Sequence, residues 1–408
     1  MNKKYILLAL ILALAGTVCA KNWTYDSSAK TISDGQWTLS VTLKDTVLSV
    51  WGVKSHEDGG DGVIDLNNPL KLERGTNITV SGVVFGENSF SMDNKNNTIE
   101  KSALKKFYCD IVDRLGGAML QGNTNLTDVV LKGEKVSVLP GLMLNKCNSL
   151  TNAVLKFPNL RTLGDRIFGK ETTKVAPINV MDLLNPGVTN ITSKLTQDKG
   201  SSFFYGDLVL TNIHVISELS FRGADLRNVR LAGPLASLGF YTFHGYGITN
   251  IVLALPHLAV VNIEAFNSQK RIHSLEMQRV PKGGMGLVSN ILAYAASGAS
   301  ANDWVNGIAG LGGWYNDSGW KPQTNRIYVS RKQWTPSAEE TWSPSNTNGF
   351  FLGKPFTEGE KKMIEADPTL TKAFGVWVQY QGTNLVHRAF FVHKPSPYDK
   401  LGFVLHFR

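Results

Sequence analysis

The sequence predicts an α/β-poor repeat solenoid: a stack of short parallel strands with a β-rich N-terminal cap and a mixed α+β C-terminal region. The first observation is a phrase, Leu126-Thr-Asp-Val-Val-Leu131, that returns in related form six more times before residue 280. The second is its spacing, since copies start 24 residues apart at Leu126 and Leu150. The third is tryptophan, which occurs at positions 23, 37 and 51 and next at Trp304. Such a period is typical of stacked supersecondary units.

The N-terminus has the features of an export signal. Two lysines precede an apolar run over 5–15, and Val18-x-Ala20 offers a small-residue cleavage site, so we expect residues 1–20 to be removed. Lipid modification at Cys19 stays open as the less favoured alternative, because Val18 stands where a smaller residue is usual. No later apolar run approaches the roughly 18 residues of a membrane span. We therefore expect a secreted, cell-surface or periplasmic protein without an integral membrane segment after cleavage.

Charge and cysteine content exclude some classes of function. The formal charge of +9 includes two lysines before residue 20, so removal of the signal leaves +7. The basic residues are scattered, which argues against a nucleic-acid partner. After cleavage only Cys109 and Cys147 remain. An oxidising compartment would permit them to pair, and the sequence leaves that pairing open.

Residues 21–120 predict a β-rich N-terminal module or cap with a short helix. Alternating apolar residues over 36–43, 46–51 and 77–85 are typical of short antiparallel strands. A helix is expected over Ser102–Leu115, leading into the repeats.

An acidic, glycine-rich run interrupts this module. His56–Asp65 holds four acids and three glycines in ten residues. Calcium prefers flexible oxygen-rich loops, but the acids do not have the spacing of a known calcium motif. The sequence therefore favours a polar turn and predicts no metal site.

Residues 121–283 predict the repeats. The fourth and sixth residues of each phrase are apolar and alternate with an outward residue, which is the period of a strand. A second apolar anchor follows eleven to thirteen residues later, at Leu144, Phe168, Phe221, Phe243 and Phe266. Each repeat thus supplies a strand and a returning segment, and stacking of neighbours buries both.

Ile248-Thr-Asn-Ile-Val-Leu-Ala-Leu-Pro-His-Leu-Ala-Val-Val-Asn-Ile-Glu-Ala-Phe266 resembles the BspA-like class of bacterial leucine-rich repeat, as does Leu150–Phe168. The resemblance covers about residues 120–280. The third and fourth copies depart from the pattern, with Pro177 and Pro186 intervening. The resemblance implies a secreted or cell-surface bacterial protein that binds other macromolecules, and it implies no shared catalytic residue.

The fifth residue of each phrase predicts the exposed face of the strands. A row rich in valine there is a candidate strip for binding a protein partner. Two alternatives are that valine is present only for its β-propensity, and that a flank folds back over the strip. The candidate residues are Val130, Val154, Asn179, Val209, Arg230, Val252 and Glu276.

Residues 284–408 predict a Gly/Trp-rich insert followed by an α+β region. Large aromatic side chains in and before the glycine-rich segment 307–320 would either stack on sugar rings or cover the end of the repeats. These are Trp304, Trp314, Tyr315 and Trp320.

The rest of the C-terminal region predicts regular elements. A short helix is expected over 286–296, and a strand over Arg326–Ser330. A capping box at Thr357–Glu360 opens a further helix that ends near Asp367. Paired strands are expected over 374–378 and 389–393, with a final strand over 401–407.

No catalytic constellation is visible in the sequence. It has no G-x-S-x-G nucleophile turn, and its eight histidines include no i, i+4 pair for a metal. We therefore predict no catalytic residue and no cofactor. The expected function is a non-enzymatic exported protein that binds a protein or glycan partner. The alternatives are a carbohydrate-binding module or carbohydrate-active enzyme in the Trp-rich part, and a structural envelope protein.

Overall fold

A computed structural model shows a mostly β protein with few helices. The chain divides into two compact units, Met1–Pro158 with Lys174–Ala176, and Asn159–Thr173 with Pro177–Arg408. The division falls inside the predicted repeat region. The structure describes residues 22–67, 70–73, 77–94, 103–168, 178–179, 184–192, 204–245, 247–262, 264–266, 272, 274–279, 287, 291, 325–333, 349–352, 355–381 and 384–400.

The described part of the first unit is built from strands. They are β1 (Trp23–Asp26), β2 (Thr31–Ser33), β3 (Trp37–Lys44), β4 (Val47–His56), β5 (Val63–Asp65), β6 (Lys71–Glu73), β7 (Ile78–Thr79), β8 (Gly82–Phe85), β9 (Lys106–Cys109), β10 (Val112–Arg114), β11 (Asp128–Lys132), β12 (Val138–Leu139) and β13 (Asn152–Lys156).

The predicted antiparallel strands are present in one sheet of the first unit, but only part of that sheet is antiparallel. Its order is β10-β8-β4-β3-β2-β1-β6-β7. Strands β1 to β4 form an antiparallel meander, whereas β4 with β8, β8 with β10, and β1 with β6 are parallel.

A second sheet of this unit, in the order β13-β11-β9-β5, is parallel throughout. Its register aligns Val63, Lys106, Asp128 and Asn152 at the start of the four strands. Two of these strands precede the first repeated phrase. The predicted helix over Ser102–Leu115 was therefore wrong, because the segment contributes β9 and β10, one strand to each sheet.

The second unit contains longer strands and the helix. The strands are β14 (Thr162–Leu163), β15 (Ile178–Asn179), β16 (Asn190–Ile191), β17 (Phe204–Leu210), β18 (Val215–Ile216), β19 (Asp225–Ala232), β20 (Ser237–Leu238), β21 (Asn250–Ala254), β22 (Val260–Val261), β23 (Ser274–Arg279), β24 (Asn325–Val329), β25 (Gly349–Leu352), β26 (Ala373–Gln381) and β27 (Asn384–His393). Helix α1 is Glu358–Ala366, and 3₁₀ turns occupy Pro368–Leu370 and Pro397–Lys400.

The main sheet of this unit follows the order β15-β17-β19-β21-β23-β24-β27-β26-β25. It is parallel from β15 to β27 and ends in the antiparallel strands β26 and β25. The predicted strand at Arg326 and the predicted C-terminal pair are thus confirmed.

The capping box of α1 is also confirmed. The backbone N–H of Glu360 donates to Thr357 Oγ1 at 3.3 Å, and that of Thr357 donates to Glu360 Oε2 at 2.9 Å. The predicted strand over 401–407 and most of the predicted helix over 286–296 lie outside the described residues.

The predicted inward positions are confirmed by burial. The sixth-place residues Leu131, Leu210, Leu231 and Leu253 are all 0% exposed. Behind the sheet of the second unit, the second anchors form a column: the Phe243 ring lies 5.4 Å from that of Phe221 and 5.1 Å from that of Phe266. The first unit has its own aromatic core at Phe85, Phe90 and Phe107.

Candidate binding face on the parallel sheet

In the second unit, four of the predicted strip residues form one row across the sheet. The register places Val209 beside Arg230, Arg230 beside Val252, and Val252 beside Glu276. Their neighbours at the fourth and sixth places are buried, so these side chains lie on the opposite face. Arg230 is exposed and the two valines are half-buried. The row therefore combines apolar side chains with one cationic and one acidic side chain.

Asn179 does not belong to this row. Strand β15 pairs Asn179 with Tyr205, four positions before Val209 on β17. The 30-residue interval between the two phrases hid this shift, because β17 begins at Phe204 and is seven residues long. This part of the predicted strip is corrected accordingly.

In the first unit, Val130 and Val154 lie side by side, with Tyr108 next to Val130 and Asp65 beyond Tyr108. Both valines are half-buried. Burial, followed by the nearby carboxylates of Asp128 and Asp65, raises the pKa of Tyr108 to about 12. The Tyr108 phenol thus stays protonated even in moderately alkaline solution.

A polar row runs parallel to the strip in the second unit, at the third place of the phrase. The Nδ2 of Asn228 donates to Asp207 Oδ1 at 2.7 Å, and the Nδ2 of Asn250 donates to Asn228 Oδ1 at 2.8 Å. Ser274 Oγ then donates to Asn250 Oδ1 at 2.5 Å. Sequence reasoning missed this ladder, although its signal was present as an Asp, Asn or Ser at the third place of successive phrases.

The C-terminal region covers the same face at one end of the sheet. The row continues from Glu276 to Tyr328 on β24 and to Val392 on β27. Val392 is 3% exposed and belongs to a core cluster against which Met363 and Ile364 of α1 pack. Among the residues that the structure describes, a flank therefore does fold back over the outward face, and it does so beyond β23.

An ion pair marks the border between the open and the covered part of the face. Lys394 Nζ donates to the carboxylate of Glu276 and lies 5.5 Å from the centre of the Tyr328 ring. Arg326, on the covered side, is ion-paired with Asp367. Burial alone would raise the pKa of Asp367, but hydrogen bonds from Thr369 and Arg326 hold it below its usual value. The open part of the row is thus Val209, Arg230 and Val252.

The predicted aromatic contact residues lie outside the described residues; they are Trp304, Trp314, Tyr315 and Trp320. Across the described ranges, no three His, Cys, Asp or Glu side chains gather closely enough to hold a metal ion. Within the same ranges, no helix is long and apolar enough to cross a membrane. Cys109 and Cys147 are both buried as free thiols.

No protein-family model matches the chain, and no curated protein matches it. Among solved structures, it is similar to a leucine-rich repeat protein from Bacteroides ovatus ATCC 8483, with 13% identity and a TM-score of 0.31 over 60% of this chain. The match spans 64% of the length of that protein. It is also similar to the pneumococcal vaccine antigen PcpA, with 11% identity and a TM-score of 0.18 over 75% of this chain and 94% of that one.

Proposed function

We propose that this chain is an exported, non-enzymatic leucine-rich repeat solenoid of the BspA-like kind that binds a protein partner through the open outward face of its second unit. The observation that carries the proposal is the open row, in which Arg230 stands between two half-buried valines. Arginine is enriched at the centre of protein interfaces, where lysine and acids are depleted, and the valines add partly exposed apolar surface beside it.

The rigidity of this face supports the same function. Parallel pairing fixes the backbone under the row, and the hydrogen-bonded ladder of Asp207, Asn228, Asn250 and Ser274 fixes the side chains next to it. A surface that is already ordered loses little conformational entropy when a partner binds. The face therefore suits a partner of complementary shape better than a flexible, adaptable one.

Export is part of the proposal and rests on the N-terminal signal pattern. We expect the protein to be recovered from the envelope surface or the medium with Lys21 as its first residue. The intact mass of the recovered protein checks this. A lipid-bearing N-terminus at Cys19 would mean that the protein is exported as a lipoprotein and is not cleaved before Lys21. Recovery of the full-length chain from the cytoplasm alone would contradict export.

The binding proposal is tested by placing a photo-crosslinking residue at position 252 and, as the matched control, at position 260. Val260 is 57% exposed and lies on β22, in a different sheet. We expect a specific extracellular protein to be captured from 252, to be displaced by unlabelled protein, and not to be captured from 260. The purified pair should then lose about tenfold or more in affinity on Arg230→Ala.

Two results would contradict this function. Equal capture from positions 252 and 260 would show that the row has no special role. Affinity unchanged in both Arg230→Ala and Val252→Asp, with unaltered unfolding midpoints, would place the interface elsewhere. Concentration-dependent self-association through the same row, seen by analytical ultracentrifugation, would favour the structural envelope protein instead.

A further inference from the structure

The first unit contains a cleft of about 310 Å³ that the repeats do not explain. It lies where β3 and β4 begin and end, below the acidic, glycine-rich turn over 57–62. Its polar lining residues are Gln36, His56, Glu57, Asp58, Lys105 and Asn125. All belong to one compact unit.

The glycines of the turn are needed to form this cleft. Gly62 has a φ of +74°, and a Cβ at this position would lie 2.5 Å from the Ala103 carbonyl oxygen and 2.9 Å from Lys105 Cγ. The N–H of Lys105 donates to the Gly62 carbonyl at 2.8 Å, and that of Glu57 donates to the Gln36 carbonyl at 2.8 Å. Backbone hydrogen bonds therefore hold the turn at both of its ends, at Glu57 and at Gly62, so this wall of the cleft has a fixed position.

The floor of the cleft is a histidine backed by a tryptophan. The rings of Trp37 and His56 stack with centroids 5.2 Å apart and planes 27° apart. Trp37 also lines the cleft but is only 2% exposed, so it mainly supports the His56 ring. The His56 side chain is 11% exposed, and its Nε2 lies 3.8 Å from Asp58 Oδ1 at the rim. The imidazole edge is thus held towards the cleft.

We propose that this cleft binds a single uncharged sugar residue. Its lining offers two amides, two carboxylates, an imidazole and an ammonium group, which together donate and accept hydrogen bonds in several directions, as a ring of hydroxyls requires. The volume is at the lower end of the range for small-molecule sites, so it accommodates one ring and excludes a peptide strand.

Charge and geometry argue against other ligands. Glu57 and Asp58 oppose an anion, while Lys105, beside Gly62 of the turn, opposes a simple cation. No cluster of three ligating side chains is found among the residues that the structure describes, and the Asp58 side chain is 86% exposed. A neutral polar ligand is repelled by neither sign of charge and can still hydrogen-bond to both kinds of group.

Saturation-transfer NMR on the mature protein tests the proposal, with the methyl glycosides of glucose, galactose, mannose and N-acetylglucosamine as probes and methyl glucuronide as the anionic counterpart. We expect weak, saturable binding of at least one uncharged glycoside and poorer binding of the glucuronide. His56→Phe, which keeps an aromatic ring on Trp37, should weaken binding about three- to tenfold through loss of a hydrogen bond. Asn125→Ala provides a second, independent change in the lining.

The matched control is Trp51→Phe. Trp51 is 51% exposed on β4 and does not line the cleft, so this substitution should leave binding unchanged. The proposal is overturned if no uncharged glycoside binds, or if binding is unchanged in both His56→Phe and Asn125→Ala, or if it is lost in Trp51→Phe. It is also overturned if calcium alone raises the unfolding midpoint and Asp58→Asn abolishes that rise. If the unfolding midpoints of the variants are unchanged, each change in binding comes from the altered side chain in the cleft and not from loss of the fold.

Discussion

At the scale of single residues, the two cysteines of the first unit are held as unreactive thiols. Burial raises the pKa of Cys109 well above its usual range and that of Cys147 to about 12. The thiol of Cys147 also donates to the Leu120 carbonyl oxygen at 3.2 Å. Because the thiolate is the nucleophile, raising the pKa removes reactivity at ordinary pH.

We therefore expect the folded, mature protein to be inert to a thiol reagent such as dithionitrobenzoate at about pH 8, where free cysteine reacts readily. After denaturation in guanidinium, both thiols should react. Absorbance of the released thiolate measures each step. Rapid reaction of the native protein would contradict the burial, and no reaction after denaturation would mean that the two cysteines pair with each other.

At the scale of the elements, the phenylalanine column determines how strongly neighbouring repeats hold together. Phe243 lies between Phe221 and Phe266, and all three side chains are buried. Each repeat contributes one ring, so the column runs along the stacking direction.

Phe243→Ala should lower the free energy of unfolding by about 3–5 kcal/mol, because it removes a buried ring and leaves a cavity between two others. Phe243→Leu should cost less, since most of the apolar volume remains. Urea denaturation of both variants, with Val260→Ala as an exposed control expected to stay within about 0.5 kcal/mol, makes the comparison. A loss for Phe243→Ala no larger than that of the control would mean that the column does not stabilise the unit.

The repeated elements could be predicted from the sequence because the spacing of their apolar residues follows directly from which side chains must be buried. The inward fourth and sixth places and the phenylalanine anchors follow from apolar spacing, and the structure buries them. The segment over 102–115 was misassigned because its strands are fixed by pairing with β5, β8 and β11, which is tertiary information. Likewise, the displacement of Asn179 depends on inter-strand register.

The candidate sites were less predictable than the fold. The fifth place identified Val209, Arg230 and Val252, but only the packing of α1 shows where the open row ends. The cleft was hidden for another reason: its polar lining comes from four separate stretches of the chain, at Gln36, His56–Asp58, Lys105 and Asn125. The sequence shows the acidic, glycine-rich run over 56–65, but it does not show that Gln36, Lys105 and Asn125 lie next to that run.

At the scale of the whole molecule, the parallel sheet of the second unit needs an ending that the repeats do not supply. A long repeat strand at the edge would present a row of unpaired N–H and C=O groups that promotes aggregation, whereas a short edge strand reduces that risk. The edge strand at this end is β25, which has four residues. Strands β24 and β27 continue the parallel order after β23, and β26 and β25 reverse it. Helix α1 covers the outward face at the same end. The C-terminal region thus acts as a cap on the repeats.

A chain that stops at residue 323 should therefore self-associate, because it exposes the edge of β23 and loses the ion pair between Glu276 and Lys394. A chain that stops at residue 400 keeps every described strand and is the matched control. We expect light scattering to show large, polydisperse species for the first and the size of the full-length protein for the second. If both chains remain monodisperse and the backbone amides of β23 are equally protected from hydrogen exchange in the two, the repeats do not need the C-terminal region as a cap. The distinction matters for function, because the open row lies between this cap and β17, and its length is set by where the cap begins.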